Sequence, residues 1–280
     1  MGESTLSSSL NYVSDANAMI LGVGLMGQHL ATHVVDWLGL KKLVLVDYSP
    51  TISVGAEKMA LADFASALQV ASATPTEVVA ETVNITSEEE VRDLFVRHPG
   101  MHYLQHTAGI SPMPLTPPED LTKEVIMGAC EVNLWGAHNV LKQGVKHGGF
   151  APHARGVIIL STSATVGAEG RASAAYEESK GGLLNLLKLQ SRHFAEEHQL
   201  ILNGLAPSPL RGPMAAQNEV AAGRLQAVED AMPLGELTQP KHIAAATMFF
   251  WAKECWCVGE VLTTDGGYTK HKPIYGALPG

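Results

Sequence analysis

The sequence predicts a single α/β domain, a doubly wound parallel sheet with helices on both faces. Three observations predict it. Short apolar or β-branched runs alternate with longer segments of helical period along the 280 residues, which is the pattern of strand–helix–strand units. A glycine-rich turn, Gly22-Val23-Gly24-Leu25-Met26-Gly27, stands where the first strand passes into the first helix. No internal repeat and no linker-like stretch interrupts the chain, so its elements belong to one unit.

Residues 1–16 are polar and Ser-rich and read as a flexible arm, leaving 17–280 as the domain. Residues 18–22 have the length and apolarity of a buried strand, and 24–38 follow with helical period. The β-branched run 43–46 is a second strand ending at Asp47. A helix is expected over 53–71, a strand over 77–83 and a helix over 87–97, where Ser87 and Glu90 have capping-box spacing. Residues 103–105 read as a strand. The proline-rich stretch 111–118 is a loop. Helical period returns over 122–147, and Gly156 opens a strand running to 160. A long helix covers 174–198, a strand 200–205 and a loop 207–213. A helical lid over 215–231 belongs to a substrate lid spanning about 208–232. The chain closes with a helix at 240–251 and a strand at 260–263, before Asp265-Gly266-Gly267.

Bulk properties narrow the function. A formal charge of −9 argues against nucleic acid or an anionic membrane surface as partner. No apolar run reaches the roughly eighteen residues of a membrane helix. The first residues lack a basic stretch followed by an apolar core, and three cysteines are too few for a disulfide framework; a cytoplasmic location is expected. Cys255 and Cys257 have no second cluster. His29 and His33 share a helix face without carboxylate company, and His98, His102 and His106 straddle a Pro-Gly pair. No metal is expected.

Two constellations carry chemistry. In the first, the glycines permit a tight turn and close backbone approach, and the helix start favours negative charge; a dinucleotide pyrophosphate needs both. Asp47 lies twenty residues beyond Gly27, where its carboxylate can accept from the adenosine ribose hydroxyls and would repel a 2′-phosphate. Tyr48, Ser49 and Pro50 bring no cation, so NAD is preferred over NADP. The sheet is therefore of Rossmann type. In the second constellation, Tyr176 and Lys180 sit one helical turn apart on one face, thirteen residues beyond Ser163, which follows a strand. A phenol titrates near 10 and is a poor neutral-pH acid or base. Lowering it by ~3 units takes roughly 4 kcal/mol, within reach of a neighbouring ammonium and a bound cationic ring.

Together these residues resemble the short-chain dehydrogenase/reductase family, from about Ala18 to Tyr268. Ser163, Tyr176 and Lys180 match its catalytic Ser, Tyr and Lys. Asn133, in Glu131-Val132-Asn133-Leu134, matches the helix Asn that holds a proton-relay water. His106-Thr107-Ala108-Gly109 stands for the usual Asn-Asn-Ala-Gly, and Asn84-Ile85-Thr86 for Asp-Val-Thr, whose acid meets the adenine. Asn203, Pro207, Pro233-Leu234-Gly235 and Asp265-Gly266-Gly267 match later landmarks. The resemblance implies cofactor contacts at Gly22, Gly24, Leu25, Met26 and Gly27, at Asp47, Asn84 and Ile85, and at Thr107, Ala108 and Gly109. It implies others at Tyr176, Lys180, Pro207, Ser208 and Leu210. The glycine loop departs from the family's Thr-Gly-x-x-x-Gly-x-Gly spacing. Gly212 replaces a Thr that binds the nicotinamide carboxamide, so backbone is expected to make a weaker contact there.

The resemblance implies hydride transfer between NAD and a carbinol carbon. In that reaction Tyr176 is the general acid/base, Lys180 lowers its pKa and binds ribose, Ser163 steadies the reacting oxygen and Asn133 passes the proton on. Met113, Leu115, Val166, Leu210 and Met214 make the expected pocket walls partly apolar, with Glu169 and Arg171 nearby, which points to a neutral secondary alcohol or ketone. Two other readings stand beside this one: a nucleotide-binding protein without redox turnover, and an NAD-containing dehydratase or epimerase. Such proteins are often tetramers, so a homo-oligomer is expected, tetramer or dimer. It would use the leucines of 183–189, and the tail 271–280 would reach across an interface.

Overall fold

The computed structural model describes residues 11–112, 118–166, 174–212 and 219–270. One parallel sheet organises them. It contains β1 (Asn17–Leu21), β2 (Lys42–Asp47), β5 (Glu77–Thr82), β6 (Met101–His106), β7 (Phe150–Ile159), β8 (Ile201–Pro207) and β9 (Val261–Thr264). Their spatial order is β5-β2-β1-β6-β7-β8-β9. The order reverses between β1 and β6, so loops leaving the carboxyl ends of these two neighbours part and open a crevice.

Residue alternation explains why both faces are covered. On β2, Leu43 and Leu45 join the core beneath α1 (Leu25–Trp37), α2 (Leu61–Ala71) and α9 (Pro240–Trp251). Val44 and Val46 join the opposite core, beneath α3 (Glu88–Arg97), α5 (Gly136–Lys146) and α7 (Ala174–His198). A strand with both faces buried reads as an unbroken apolar run. Full burial of one such side chain, Leu187 for example, contributes about 2 kcal/mol. On α7, Leu183, Leu186 and Leu187 are buried whereas Leu189 is 78% exposed. Among the described residues no helix is long and apolar enough to cross a membrane.

Several expectations need correction. The stretch from Asn11 is not loose: Lys253 N donates to Asn11 O at 2.8 Å, the Asn11 amide donates to Glu254 Oε1, and Val13 N donates to the Tyr103 hydroxyl at 2.7 Å. Residues 53–60 are not helical. Instead β3 (Thr51–Val54) and β4 (Glu57–Ala60) form an antiparallel hairpin, because Gly55, at φ 61°, opens a two-residue turn between β-forming segments. The helix expected over 122–147 is α4 (Lys123–Cys130), then a wider π turn over Glu131–Trp135, then α5. Only half of the capping box forms: Ser87 Oγ accepts from Glu90 N, but Glu90 Oε2 accepts from Asn84 N. Strand β7 begins six residues before Gly156. After β7 come a short helix α6 (Ser163–Val166) and α7, and after β8 comes α8 (Glu219–Ala231). Met113, Leu115, Glu169, Arg171, Met214, the side chain of Val166 and the tail 271–280 lie outside the described residues.

Candidate active site

The crevice between β1 and β6 is lined by backbone. Gly22 N donates to Val46 O, and the amides of Thr107 and Ala108 both donate to Leu21 O at 2.8 Å. Gly22 adopts φ +89°, and a Cβ there would lie 2.5 Å from Ala108 N. A Cβ on Gly27 would collide with the Gly22 carbonyl oxygen. These two glycines are demanded by the chain itself. Gly24 differs, because nothing lies within 4 Å of its missing Cβ. It caps α1 without a side-chain hydrogen bond, and the first turn carries no acid. An open, uncapped helix start bordered by glycine suits a pyrophosphate, so the residues present fit a dinucleotide. Leu25 is 39% exposed at that helix start and Met26 is half-buried against the core.

Asp47 sits at the crevice mouth. Its Oδ2 accepts from Val23 N at 2.8 Å and its Oδ1 from Ser49 N at 3.1 Å. Each oxygen keeps capacity for a hydroxyl donor. Gln28 braces the other side of the loop by donating to Val23 O and to Ser53 O of the hairpin.

The remaining cofactor candidates divide by environment. Asn84 Oδ1 is engaged by Thr86, through both its amide and its hydroxyl. Ile85 is buried and its carbonyl accepts from Asn139. Pro207 ends β8, and the Ser208 hydroxyl turns to Thr238 at 2.7 Å. Leu210 packs on the core containing α1. A Cβ on Gly212 would lie 2.8 Å from Leu25 Cδ2, so the chain after β8 rests on the glycine loop.

Tyr176 and Lys180 project from one face of α7, with Lys180 Nζ 5.9 Å from the Tyr176 ring centre. Lys180 is only 3% exposed, and Nζ donates to Ile159 O at 2.8 Å, at the end of β7. Burial lowers its pKa to about 8. Burial also pushes the Tyr176 phenol up, and a hydrogen bond with Ser161 opposes that rise without overcoming it. The expected low phenol pKa was drawn for a site that also holds a cationic ring, and without that ring the shift is upward. The protein alone desolvates the phenolate, and its ammonium is turned to a carbonyl; lowering requires a further cation in the crevice. Ser163 Oγ donates to Ser161 Oγ at 2.9 Å, and Ser161 is the neighbour that acts on the Tyr176 phenol. Sequence reasoning missed Ser161, although the Ser161-Thr162-Ser163 run offered two hydroxyls on alternate positions.

Asn133 is fully buried in the π turn. Its Oδ1 accepts from Ile110 N, and its Nδ2 donates to Ile110 O and Ser179 Oγ. Ser179 Oγ in turn donates to Tyr176 O at 2.7 Å. The side chain is thus fully occupied tying the loop after β6 to α7. Gly109 lies against both partners: its missing Cβ would be 3.0 Å from Asn133 Oδ1 and 3.4 Å from Lys180 Nζ. The four expected catalytic residues and the glycine crevice therefore share the carboxyl edge of β1, β6 and β7.

Comparison with known proteins gives the family and the fold. A family model described as enoyl-(acyl carrier protein) reductase matches residues 53–269. L-fucose dehydrogenase of Bos taurus is 29% identical over 192 residues, 66% of this chain and 69% of that protein. Cis-4-hydroxycyclohexanecarboxylate dehydrogenase of Sinomonas cyclohexanicum is 27% identical over 192 residues, 66% of this chain and 74% of that protein. A short-chain type dehydrogenase/reductase from Mycobacterium ulcerans superposes with a TM-score of 0.79 at 21% identity, covering 92% of this chain and 91% of that chain. At that identity the likeness is one of fold. The family match begins beyond the glycine loop.

Proposed function

Because the chain belongs to the short-chain dehydrogenase/reductase family, we propose that it interconverts a neutral secondary alcohol and its ketone by hydride transfer with NAD. The observation that carries this reading is the meeting of Tyr176, Lys180 and the Ser161–Ser163 pair beside a crevice that backbone lines. The two dehydrogenase relatives support the alcohol chemistry, not the neutrality of the substrate; the carboxylate in the name of one carries a ring-bound secondary alcohol together with a negative charge.

When bound, NAD supplies the hydride acceptor and a positive ring. The protein supplies position and proton transfer. Tyr176 takes the hydroxyl proton at its phenol oxygen, work worth roughly 10²–10⁴-fold. Lys180 holds the ribose hydroxyls with the N–H groups not given to Ile159 and steadies the phenolate. Ser163 would turn its proton from Ser161 to the substrate oxygen, with the Ser161 hydroxyl behind it, and so resist the developing charge. Asn133 keeps the loop after β6 joined to α7, which fixes the distance between Gly109 and Lys180. Asp47 favours NAD over NADP by accepting from the ribose.

A panel of secondary alcohols and ketones with each cofactor, followed at 340 nm, tests the reading. NAD-dependent turnover that Tyr176→Phe abolishes, with NADH binding retained, is expected. Saturable NAD binding with no turnover across the panel would leave a nucleotide-binding protein instead.

A further inference from the structure

His106 ends β6 with 2% of its surface exposed, and neither ring nitrogen has a hydrogen-bond partner in another of the described residues; only its own backbone acts on the ring, as the smallest influence on its pKa. The neighbouring Thr107 hydroxyl is likewise buried without one. A neutral imidazole carries one donor and one acceptor nitrogen. Burying both unmet is unfavourable, and buried polar groups without protein partners are ordinarily met by ordered water.

The face of the sheet identifies what lies across from the ring. Leu104, two residues earlier, belongs to the core that contains Leu183 and Leu187 of α7. Alternation along β6 puts His106 on the same face, and its strand neighbour is Ile158, next to the carbonyl that Lys180 bonds. Lys180 also acts on His106 electrostatically. The ammonium has three protons and gives one to Ile159 O. The Asn133 amide, although close, has both its atoms engaged.

We propose that an ordered water joins His106 to Lys180 behind the crevice, making His106 a positioning residue that aims the ammonium and keeps it protonated. The neutral ring accepts a hydrogen bond from the water while the water's oxygen accepts from Nζ. The groups around the ammonium are the Tyr176 phenol on α7, His106 on β6, the Ser161 and Ser163 hydroxyls after β7 and the Asn133 amide of the π turn. Among the described residues no carboxylate contributes to the shift of Lys180 or of His106. The water link is independent of turnover; only its catalytic consequence rests on the reading of Lys180 proposed above.

The test has three arms. A high-resolution crystal structure of the wild-type protein should show a water within hydrogen-bonding distance of a His106 nitrogen and of Lys180 Nζ; a dry ring would overturn the proposal. In ¹⁵N NMR of labelled lysine, His106→Leu should lower the Lys180 midpoint by about one pH unit, the worth of one hydrogen bond to a charged group. His106→Asn, which keeps a donor and an acceptor, should restore most of the shift. An unchanged midpoint in His106→Leu would also overturn it. Where turnover is present, the alkaline limb of kcat should move with the NMR midpoint. If turnover is absent, the redox reading fails while the water and the lysine titration still decide the role of His106.

Discussion

The Ser163 hydroxyl donates to Ser161 at 2.9 Å, and Ser161 is the side chain that works against the rise of the Tyr176 pKa. On the function proposed above, two hydroxyls would share the work that the family pattern gives to one. Ser161→Ala is expected to lower kcat at least as much as Ser163→Ala, each by roughly 10²-fold, the cost of removing one donor to a developing oxyanion. Steady-state kinetics on both variants checks this. A Ser161→Ala enzyme within twofold of wild type would mean that Ser163 turns to the substrate unaided.

The glycines of the loop separate into two kinds, and thermal melts with calorimetry distinguish them. Gly27→Ala drives a methyl into the Gly22 carbonyl and is expected to cost about 1–3 kcal/mol in stability, as overpacking does. Gly24→Ala meets no heavy atom within 4 Å. It should leave stability within roughly 1 kcal/mol yet weaken NAD binding about tenfold or more, because the methyl occupies the space a pyrophosphate would use. Equal effects in both assays would remove the phosphate site from this loop.

Residue 212 tests an expectation drawn from the family pattern. Threonine there would regain a carboxamide contact in that pattern, and its Cβ would meet Leu25 Cδ2 at 2.8 Å, the far end of a partly exposed side chain that can turn aside. Gly212→Thr is expected to bind NAD more tightly than wild type, measured by calorimetry. No gain in affinity would remove the carboxamide contact from this position.

Burial of His106 makes stability depend on pH in a defined window. Its pKa falls from 6.5 to about 3, through burial first and Lys180 second. Between those values the unfolded chain holds a proton that the folded protein excludes. Stability therefore rises with pH across the window and is lost as pH falls through it. The full loss approaches roughly 5 kcal/mol at about 1.36 kcal/mol per unit. Lys180, lowered from 10.5 to about 8 by burial, gives the same sign between those values, with stability climbing as pH rises. Denaturant titrations should show the acid slope in wild type and a shallower one in His106→Asn. Parallel slopes would place the acid sensitivity elsewhere.

Much of the fold was legible because it rests on local pattern. The apolar runs of β2 and β8 announce strands buried on both faces, and Ser87 announces the start of α3 by an actual cap. The hairpin after Asp47 was not legible, since Ser53 and Val54 suit either structure and Gly55 decides only through its positive φ. The π turn was hidden for another reason. It carries Asn133, whose side chain is bonded to Ile110, twenty-three residues away.

The sequence by itself determined the seven strands of the main sheet, the glycine turn, Asp47 as the acid after the second strand, and the shared helix face of Tyr176 and Lys180. Each follows from neighbours within a turn or a strand, where backbone geometry sets the spacing. Only the tertiary structure decided which hydroxyl meets the phenol, where the ammonium points, and that His106 lies unpaired beside it. Those depend on segments far apart in the chain being packed out of water. Dehydration moves both the phenol and the amine away from charge, an effect that no spacing along a sequence can express.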